Sequence, residues 1–259
     1  MKQMNKIKFL GTAGARFVVA KQLRKSGGIW LTLDTTNVLI DPGPGSLIRC
    51  LSSKPKLNPM DLDGIILSHR HLDHSNDINI VIEAMTNGGF KKKGVVFAPK
   101  DALEEDPVIL KYIRKYVEKI EVLKERKTYK IGNISFSTPV KHDHGVETYG
   151  FNIYGKNQSL SIITDTKYFQ GLESYYKEDI LIINIVLFEG RDYINHLSLD
   201  DVEKIISINK PKIAVITHFG MTIIKAKPWE IADNLSKKTG VNVIAAGDGM
   251  ELDLDKYRS

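Results

Sequence analysis

The sequence predicts a layered α/β protein in which two sheets pack face to face and helices cover the outside. Three features predict it. Apolar runs of strand length recur along the whole chain, amphipathic helical patterns separate several of them, and three runs end on a hydroxyl residue followed by a histidine or an aspartate. Strands that dominate each half, with helices following, bury their apolar faces most simply as sheet on sheet with helices outside.

The strand-like runs are KIKFLG, WLTLD, NVLIDPG, GIILS, GVVFA, NISFSTPV, YGFNIYG, LSIITD, DILIINI, IAVITH and VNVIAA. A helix is expected over 74–86, where Ile78, Val81, Ile82 and Met85 repeat at i, i+3, i+4 and i+7 and give one buried face. A second follows Ser198 as N-cap, with Val202, Ile205 and Ile206 as its stripe and Pro211 as its stop. A third begins at Pro228, turns Ile231 and Leu235 inward and ends at Gly240. The runs IILSH, SIITD and IAVITH end on His69, Asp165 and His218. Serine, threonine and aspartate are common where strands become loops. That does not explain why His69 and His218 occupy equivalent places, whereas strand ends on a common edge let a rigid scaffold converge distant residues.

A chain of 259 residues with 42% hydrophobic content permits a substantial core. With no Pro/Ser-rich linker, low-complexity tract or tandem repeat, residues 1–259 are expected to form a single domain. No apolar run approaches the ~20 residues that span a bilayer. The opening MKQMNKIKFLGTAG has no signal-peptide core, because Lys8 interrupts its apolar stretch and Gly11 ends it. The single cysteine, Cys50, excludes an internal disulfide and a thiolate metal cage. A soluble, cytoplasmic protein with no membrane contact is the expectation. A net charge of +6 and a pI of 9.1 are compatible with an anionic substrate. Lys91, Lys92 and Lys93 follow Asn87-Gly88-Gly89 and read as a solvated loop, with phosphate contact as the alternative.

The chemistry concentrates in ILSHRHLDHSND, where His69, His71, Asp73 and His74 stand at i, i+2, i+4 and i+5. In an extended segment, residues i and i+2 point the same way, so His69 and His71 can share one metal. Asp73 and His74, after the turn, face a neighbouring position. Two adjacent divalent ions are the expectation, zinc first, with manganese or iron also suited to imidazole and carboxylate donors.

The H-x-H-x-D-H string resembles the signature of the metallo-β-lactamase superfamily, whose fold is a four-layer αββα sandwich with a metal site along one sheet edge. LIDPGPG resembles its early aspartate motif, which makes Asp41 a residue that orients the ligand loop; a turn aspartate before Pro42-Gly43 is the other reading. HGVETYGFNI resembles the third motif, with His144 as ligand ahead of Gly150-Phe151. ITDTKY supplies Asp165, similar to the bridging carboxylate, and ITHFGM supplies His218, similar to the last ligand. By that resemblance His69, His71 and His144 hold one metal, Asp73, His74 and His218 hold the other, and Asp165 bridges them. His142 has the wrong spacing to Gly150 and is expected behind the ligands or on the surface.

Such a centre makes water a nucleophile at neutral pH and stabilises charge on an attacked phosphoryl or carbonyl oxygen, so hydrolysis is implied. His196 in NHLSLDD resembles the histidine of tRNase Z and related phosphodiesterases, which protonates a leaving group or contacts the phosphate. Its alternative is a helix-start histidine beside the Ser198 cap. KIKFLGTAG also resembles that branch, and its Gly11 and Gly14 let backbone approach the substrate or merely form a turn. The resemblance implies a phosphodiesterase with Asp73 and His196 as catalytic residues, acting on a small-molecule or nucleotide phosphodiester. A short RNA substrate and a homodimer both stay open. One departure matters: Asp165 follows His144 with room for only two strands and a turn, so the tRNA-gripping arm of tRNase Z is absent. That moves the reading toward arm-less enzymes similar to the cyclic phosphodiesterases of phosphonate breakdown. A hydrolase of a carboxylic ester, thioester or lactone is the alternative on the same centre. A metal-binding module without activity would predict a lost ligand, and none is lost.

Overall fold

The structure, a computed structural model, describes residues 4–258, so the first three residues of the opening stretch and the last of the expected domain lie outside it. Its strands are β1 (Lys6–Phe9), β2 (Ile29–Leu33), β3 (Thr36–Ile40), β4 (Gly64–Ile66), β5 (Val95–Ala98), β6 (Lys119–Val122), β7 (Lys127–Ile131), β8 (Ile134–Thr138), β9 (Phe151–Tyr154), β10 (Ser159–Ile163), β11 (Ile180–Asn184), β12 (Ile213–Thr217), β13 (Val243–Ala245) and β14 (Glu251–Asp253). They form two seven-stranded sheets, ordered β14-β1-β2-β3-β4-β5-β6 and β13-β12-β11-β10-β9-β8-β7. In the first sheet β14 to β3 pair antiparallel and β3 to β6 parallel. The second repeats the plan, antiparallel from β7 to β10 and parallel from β10 to β13.

Period-two alternation decides which side chains meet. Ile66 of β4, Ile182 of β11 and Val215 of β12 turn inward and join Phe9, Phe136 and Phe151 in a core between the sheets. Their neighbours Ile65, Ile183 and Ala214 turn outward under the helices. The helices are α1 (Ala15–Ala20), α2 (Ser46–Ser52), α3 (Leu72–Ser75), α4 (Ile78–Met85), α5 (Leu199–Asn209), α6 (Met221–Lys225) and α7 (Pro228–Thr239). The outer face of the first sheet packs on α4 through Ile78, Val81, Ile82 and Met85. The outer face of the second packs on α5 and α7 through Val202, Ile205, Ile206, Ile231 and Leu235. The expected αββα sandwich is the observed one.

Two expectations needed correction. The helix expected over 74–86 breaks into α3 and α4, because the Asp77 amide donates to the Pro42 carbonyl (2.9 Å) and its carboxylate accepts from Leu47 N–H (3.1 Å). Strands β6, β7 and β14 escaped the apolar pattern. All three are sheet edges, and residues such as Lys119, Glu121, Lys127 and Lys130 give them the charged faces that discourage edge-to-edge pairing. No helix among the described residues is long and apolar enough to cross a membrane.

Ser198 caps α5 as expected, in a capping box where its backbone N–H donates to Asp201 (2.9 Å) and its hydroxyl accepts from the Asp201 amide (3.4 Å). Ser198→Ala should therefore cost about 1 kcal/mol, read as an earlier urea midpoint at unchanged slope. An unchanged midpoint would mean that the box contributes nothing in solution.

Candidate metal centre

Parallel strands release their C-terminal ends on one edge, and the two sheets bring two such edges together. Asp41 follows β3, His69 lies just beyond β4, Asp165 beyond β10 and His218 directly after β12, while Asn184 ends β11. Asp41 (φ 52°) and His218 (φ 57°) both take the left-handed conformation that costs a non-glycine residue strain. The chain turns sharply there to leave the sheet and aim the side chain. Around them backbone approaches unusually closely. A Cβ on Gly14 would lie 2.2 Å from the His218 carbonyl oxygen and 2.4 Å from its Nδ1, and one on Gly43 would lie 1.9 Å from the Asp73 carbonyl oxygen. Gly14 thus serves approach to a site histidine.

Asp41 organises the histidine segment. Its carboxylate accepts from the Ser68 amide (2.6 Å) and the Ser68 hydroxyl (2.7 Å), and it holds His74 Nδ1 at 2.9 Å. That orients the His74 ring and turns Nε2 toward the centre, where His218 Nε2 lies at 3.0 Å and Asp165 Oδ2 at 3.3 Å. On the other side His144 Nδ1 donates to the Asn195 carbonyl (2.7 Å), which turns Nε2 toward His71 Nδ1, 3.1 Å away. Asp165 lies between, its Oδ2 3.6 Å from His144 Nε2 and 3.9 Å from His69 Nε2. Asp73 Oδ2 faces His218 Nε2 at 3.4 Å. His69, His71 and His144 make one group able to hold an ion, and Asp73, His74, Asp165 and His218 make another. His144, Asp165 and His196 also converge, so His196 reaches the same place with Nδ1 3.7 Å from Asp165 Oδ2.

These atoms fit a divalent cation better than they fit each other. Buried His69 Nε2 and His218 Nδ1 have no hydrogen-bond partner among the described residues, and a buried donor or acceptor left so is costly. The N···N contacts of 3.0 and 3.1 Å bring together imidazole nitrogens that need a proton or a cation between them. A tetrahedral shell of radius about 2.0–2.1 Å would space its donors about 3.3–3.4 Å apart, close to these separations.

The electrostatics agree. Burial opposes charge on His74, yet Asp73, Asp165 and Asp41 outweigh it and hold its pKa well above the ordinary value. Burial likewise opposes ionisation of Asp165, but His218, His196 and His74 keep it well below the usual carboxylate range. Burial and the neighbouring imidazoles push His69 and His71 down. Burial lowers His196 to about 4 and His142 to about 3.

His142 lies behind Asp165 and is buried, with Nε2 2.6 Å from the Tyr176 hydroxyl. Lys91 to Lys93 precede the N-terminal end of β5, opposite to the end where His69 emerges from the parallel β4, so strand polarity puts them away from the centre. Sequence reasoning missed Asn184, whose amide donates to Asp165 Oδ1 (2.8 Å), although DILIINI ends on it by the same strand-end pattern. It also missed the roles of Ser68 and Asn195, although IILSH and NHLSLDD contain them, and it missed Tyr176, which no local motif marks.

A family model described as the beta-lactamase superfamily domain matches residues 36–219. The uncharacterized protein MJ1374 of Methanocaldococcus jannaschii is 30% identical, with 96% of each chain covered. A ribonuclease Z of Thermoplasma volcanium is 26% identical over 59% of this chain and 49% of its own length, so the chain spans about half of that relative. Among solved structures, the metallo-beta-lactamase fold protein YhfI from Bacillus subtilis superposes with a TM-score of 0.78 at 17% identity, covering 96% of this chain and 99% of its own. A diphosphatase from the PhnP family superposes with a TM-score of 0.70 at 19% identity, covering 96% and 97%. Both structural likenesses show the fold.

The raised His74 pKa carries a sign that can be measured. In ion-free protein its proton stabilises the fold fully below the unfolded value of about 6.5, and the gain is lost as pH rises through the folded value. A divalent ion must displace that proton from Nε2. Zinc titration at pH 7 should therefore release at least one proton, seen as a binding enthalpy that changes with the buffer. A buffer-independent enthalpy would show that His74 is neutral before the ion arrives.

Proposed function

The chain belongs to the β-lactamase superfamily, with the metallo-β-lactamase fold of a metal-dependent hydrolase, and from that premise we propose a dinuclear phosphodiesterase acting on a small-molecule or nucleotide phosphodiester. Two donor groups support the dinuclear reading: His69, His71 and His144 on one side, and Asp73, His74 and His218 on the other, with Asp165 within reach of both. Zinc suits this set, and manganese or iron is compatible with it. When bound, such ions make water nucleophilic near neutral pH and offset charge gathering on a phosphoryl group.

The protein's own groups supply the rest. Asn184 and the histidines hold Asp165 ionised and still. Asp73, part-exposed where Asp165 is sealed, is the carboxylate placed to accept a hydrogen bond from attacking water. His196 is the observation that carries the phosphodiester reading. Its ring packs edge-on to His144 at 4.7 Å, its side chain is 16% exposed, and the Ser198 cap bonds with Asp201 instead of with it. A neutral imidazole there can donate a hydrogen bond to a phosphoryl oxygen, and an approaching anion raises its affinity for a proton. It is then placed to protonate a leaving alkoxide. Substrate size follows from the interval between His144 and Asp165, which holds the hairpin β9–β10 with a short turn over 155–158. No gripping arm stands in that interval. The ribonuclease Z and diphosphatase relatives support phosphoryl chemistry on this scaffold.

His196→Ala should keep its metal content and melting temperature yet lose about 10²- to 10⁴-fold in turnover of a substrate that releases an alkoxide. The loss should shrink for nitrophenolate, which barely needs a proton. Full activity on the alkoxide substrate would remove His196 from the mechanism. Zinc-loaded protein tested on bis-aryl phosphodiesters, cyclic nucleotides, short RNA and thioesters should turn over the phosphodiesters; thioester turnover alone would favour the ester-hydrolase alternative. Folded precursor tRNA should be a poor substrate beside a small phosphodiester, and efficient structure-dependent 3′ cleavage would contradict the size argument.

A further inference from the structure

We propose that His142, held by Tyr176, is a positioning residue that locks the segment bearing His144 against the segment bearing Asp165 and so sets the spacing of the two ion positions. Resting on the dinuclear reading above, this gives a role to the one histidine that the centre itself does not use.

Partner chemistry fixes the state of the His142 ring. The Asp165 backbone carbonyl, 3.2 Å from Nδ1, can only accept, so Nδ1 carries the proton. The Thr164 hydroxyl, also 3.2 Å from Nδ1, donates to the Tyr149 carbonyl (2.8 Å) and so offers Nδ1–H a second acceptor. Nε2 must then accept, and the Tyr176 hydroxyl donates to it at 2.6 Å. The Gly150 backbone, beside the Tyr176 oxygen, offsets part of the burial that raises the pKa of that hydroxyl. The chain from Tyr176 through His142 to Asp165 runs in one direction, and both ring nitrogens of His142 are satisfied. A Cβ on Gly150 would lie 2.4 Å from the Tyr176 oxygen and 2.8 Å from His142 Cε1, so glycine is required for the assembly to close.

The same joint is laced twice more. The Asp143 amide donates to the Thr166 hydroxyl (3.1 Å), and the Lys167 amide donates to the Asp143 carbonyl (2.7 Å). Residues 142–144 therefore sit in register with residues 165–167. His144 belongs to the group with His69 and His71, and Asp165 joins Asp73, His74 and His218 while also reaching His144. Of the three links, only His142 uses a buried side chain anchored from behind by a third element. Tyr176 is itself fixed at the end of the 3₁₀ turn Leu172–Tyr175, where its carbonyl accepts from Asn209 of α5 (2.6 Å). Asn184 steadies the Asp165 carboxylate, and His142 steadies its main chain.

His142→Asn and His142→Gln separate positioning from packing. Asparagine keeps a donor near the Nδ1 position, whereas glutamine keeps a polar group only near Nε2. Zinc affinity measured by competition with a chromogenic chelator should stay within a few-fold of wild type for His142→Asn. For His142→Gln it should fall about 10- to 100-fold for the second equivalent. Manganese-loaded His142→Gln should also lose the exchange-coupled electron paramagnetic resonance signal of an ion pair. Both variants should melt earlier, so melting temperature does not decide. Equal affinities for the two variants, with wild type binding two ions, would overturn the role of His142 and leave the dinuclear reading standing. Wild type binding only one ion would overturn the dinuclear reading and the spacing role with it. If His142→Gln does not fold, Tyr176→Phe decides. It should weaken the second equivalent about tenfold, and unchanged affinity would overturn the proposal.

Discussion

A carboxylate that is 2% exposed lies at the centre of this molecule, and the rest of the site is organised by the need to keep it charged. Asp165 Oδ2 has imidazole nitrogens of His74, His144, His196 and His69 within 3.3–3.9 Å, and Oδ1 has His218 Nδ1 at 3.4 Å. Removing an ion from water costs on the order of several kcal/mol unless opposite charge and hydrogen bonds replace the lost hydration. The Asn184 amide supplies one such bond. The remainder has to be positive charge, from protons on the imidazoles or from divalent ions. A cluster built this way is under tension when protons alone supply that charge, because they satisfy the carboxylate while crowding imidazole nitrogens 3.0 and 3.1 Å apart.

Such tension needs a frame that does not relax. Three separate apolar layers provide it, one between the sheets and one under the helices on each side, and none of them contains a histidine or aspartate of the centre. The strained turns at Asp41 and His218 sit directly on strands whose apolar positions are fully buried. Strain of about 1–3 kcal/mol per residue persists only where surrounding structure over-determines it. Here the hydrogen bonds that hold it are the Asp41 clamp on Ser68 and His74, and the backbone pairing of Phe219 with Thr12 (2.8 Å) that presses Gly14 onto His218.

What could be read in the sequence divides along the same physical line. Interior strands and the three long helical patterns were legible because burial imposes a period on side chains. The histidine–aspartate groups were legible because their residues leave strand ends that share one edge. Edge strands β6, β7 and β14 were not, since a strand that must repel partners carries charge where a core strand carries isoleucine. Residues that support the ligands were mostly invisible as well. Asn195 acts through its carbonyl oxygen, which any residue would offer, and Tyr176 reaches His142 from a turn more than thirty positions away. Gly11 and Gly14 were visible as glycines but ambiguous in purpose, because only the neighbours at 2.2 Å, the Lys25 carbonyl and the His218 carbonyl, reveal what each glycine makes room for.

His142 and His196 show how far surroundings outweigh residue type. Burial pushes both imidazoles to similarly low pKa, about 3 and about 4, so the protonation tendency of the free protein does not distinguish them. Their valences do. His142 spends Nδ1 on Asp165 and Thr164 and Nε2 on Tyr176, and it is closed off from solvent, so it has nothing left to offer a substrate. The His196 ring makes no hydrogen bond among the described residues, and it stands part-exposed beside the same aspartate at 3.7 Å, beyond hydrogen-bond length. An unspent, part-exposed nitrogen beside the cluster is free to bond an incoming group. One with both nitrogens engaged behind that centre can act only by holding a ligand in place. Two histidines against one carboxylate thus differ in what already occupies their nitrogens, and that difference is what the proposed roles, one toward substrate and one toward the frame, rest on.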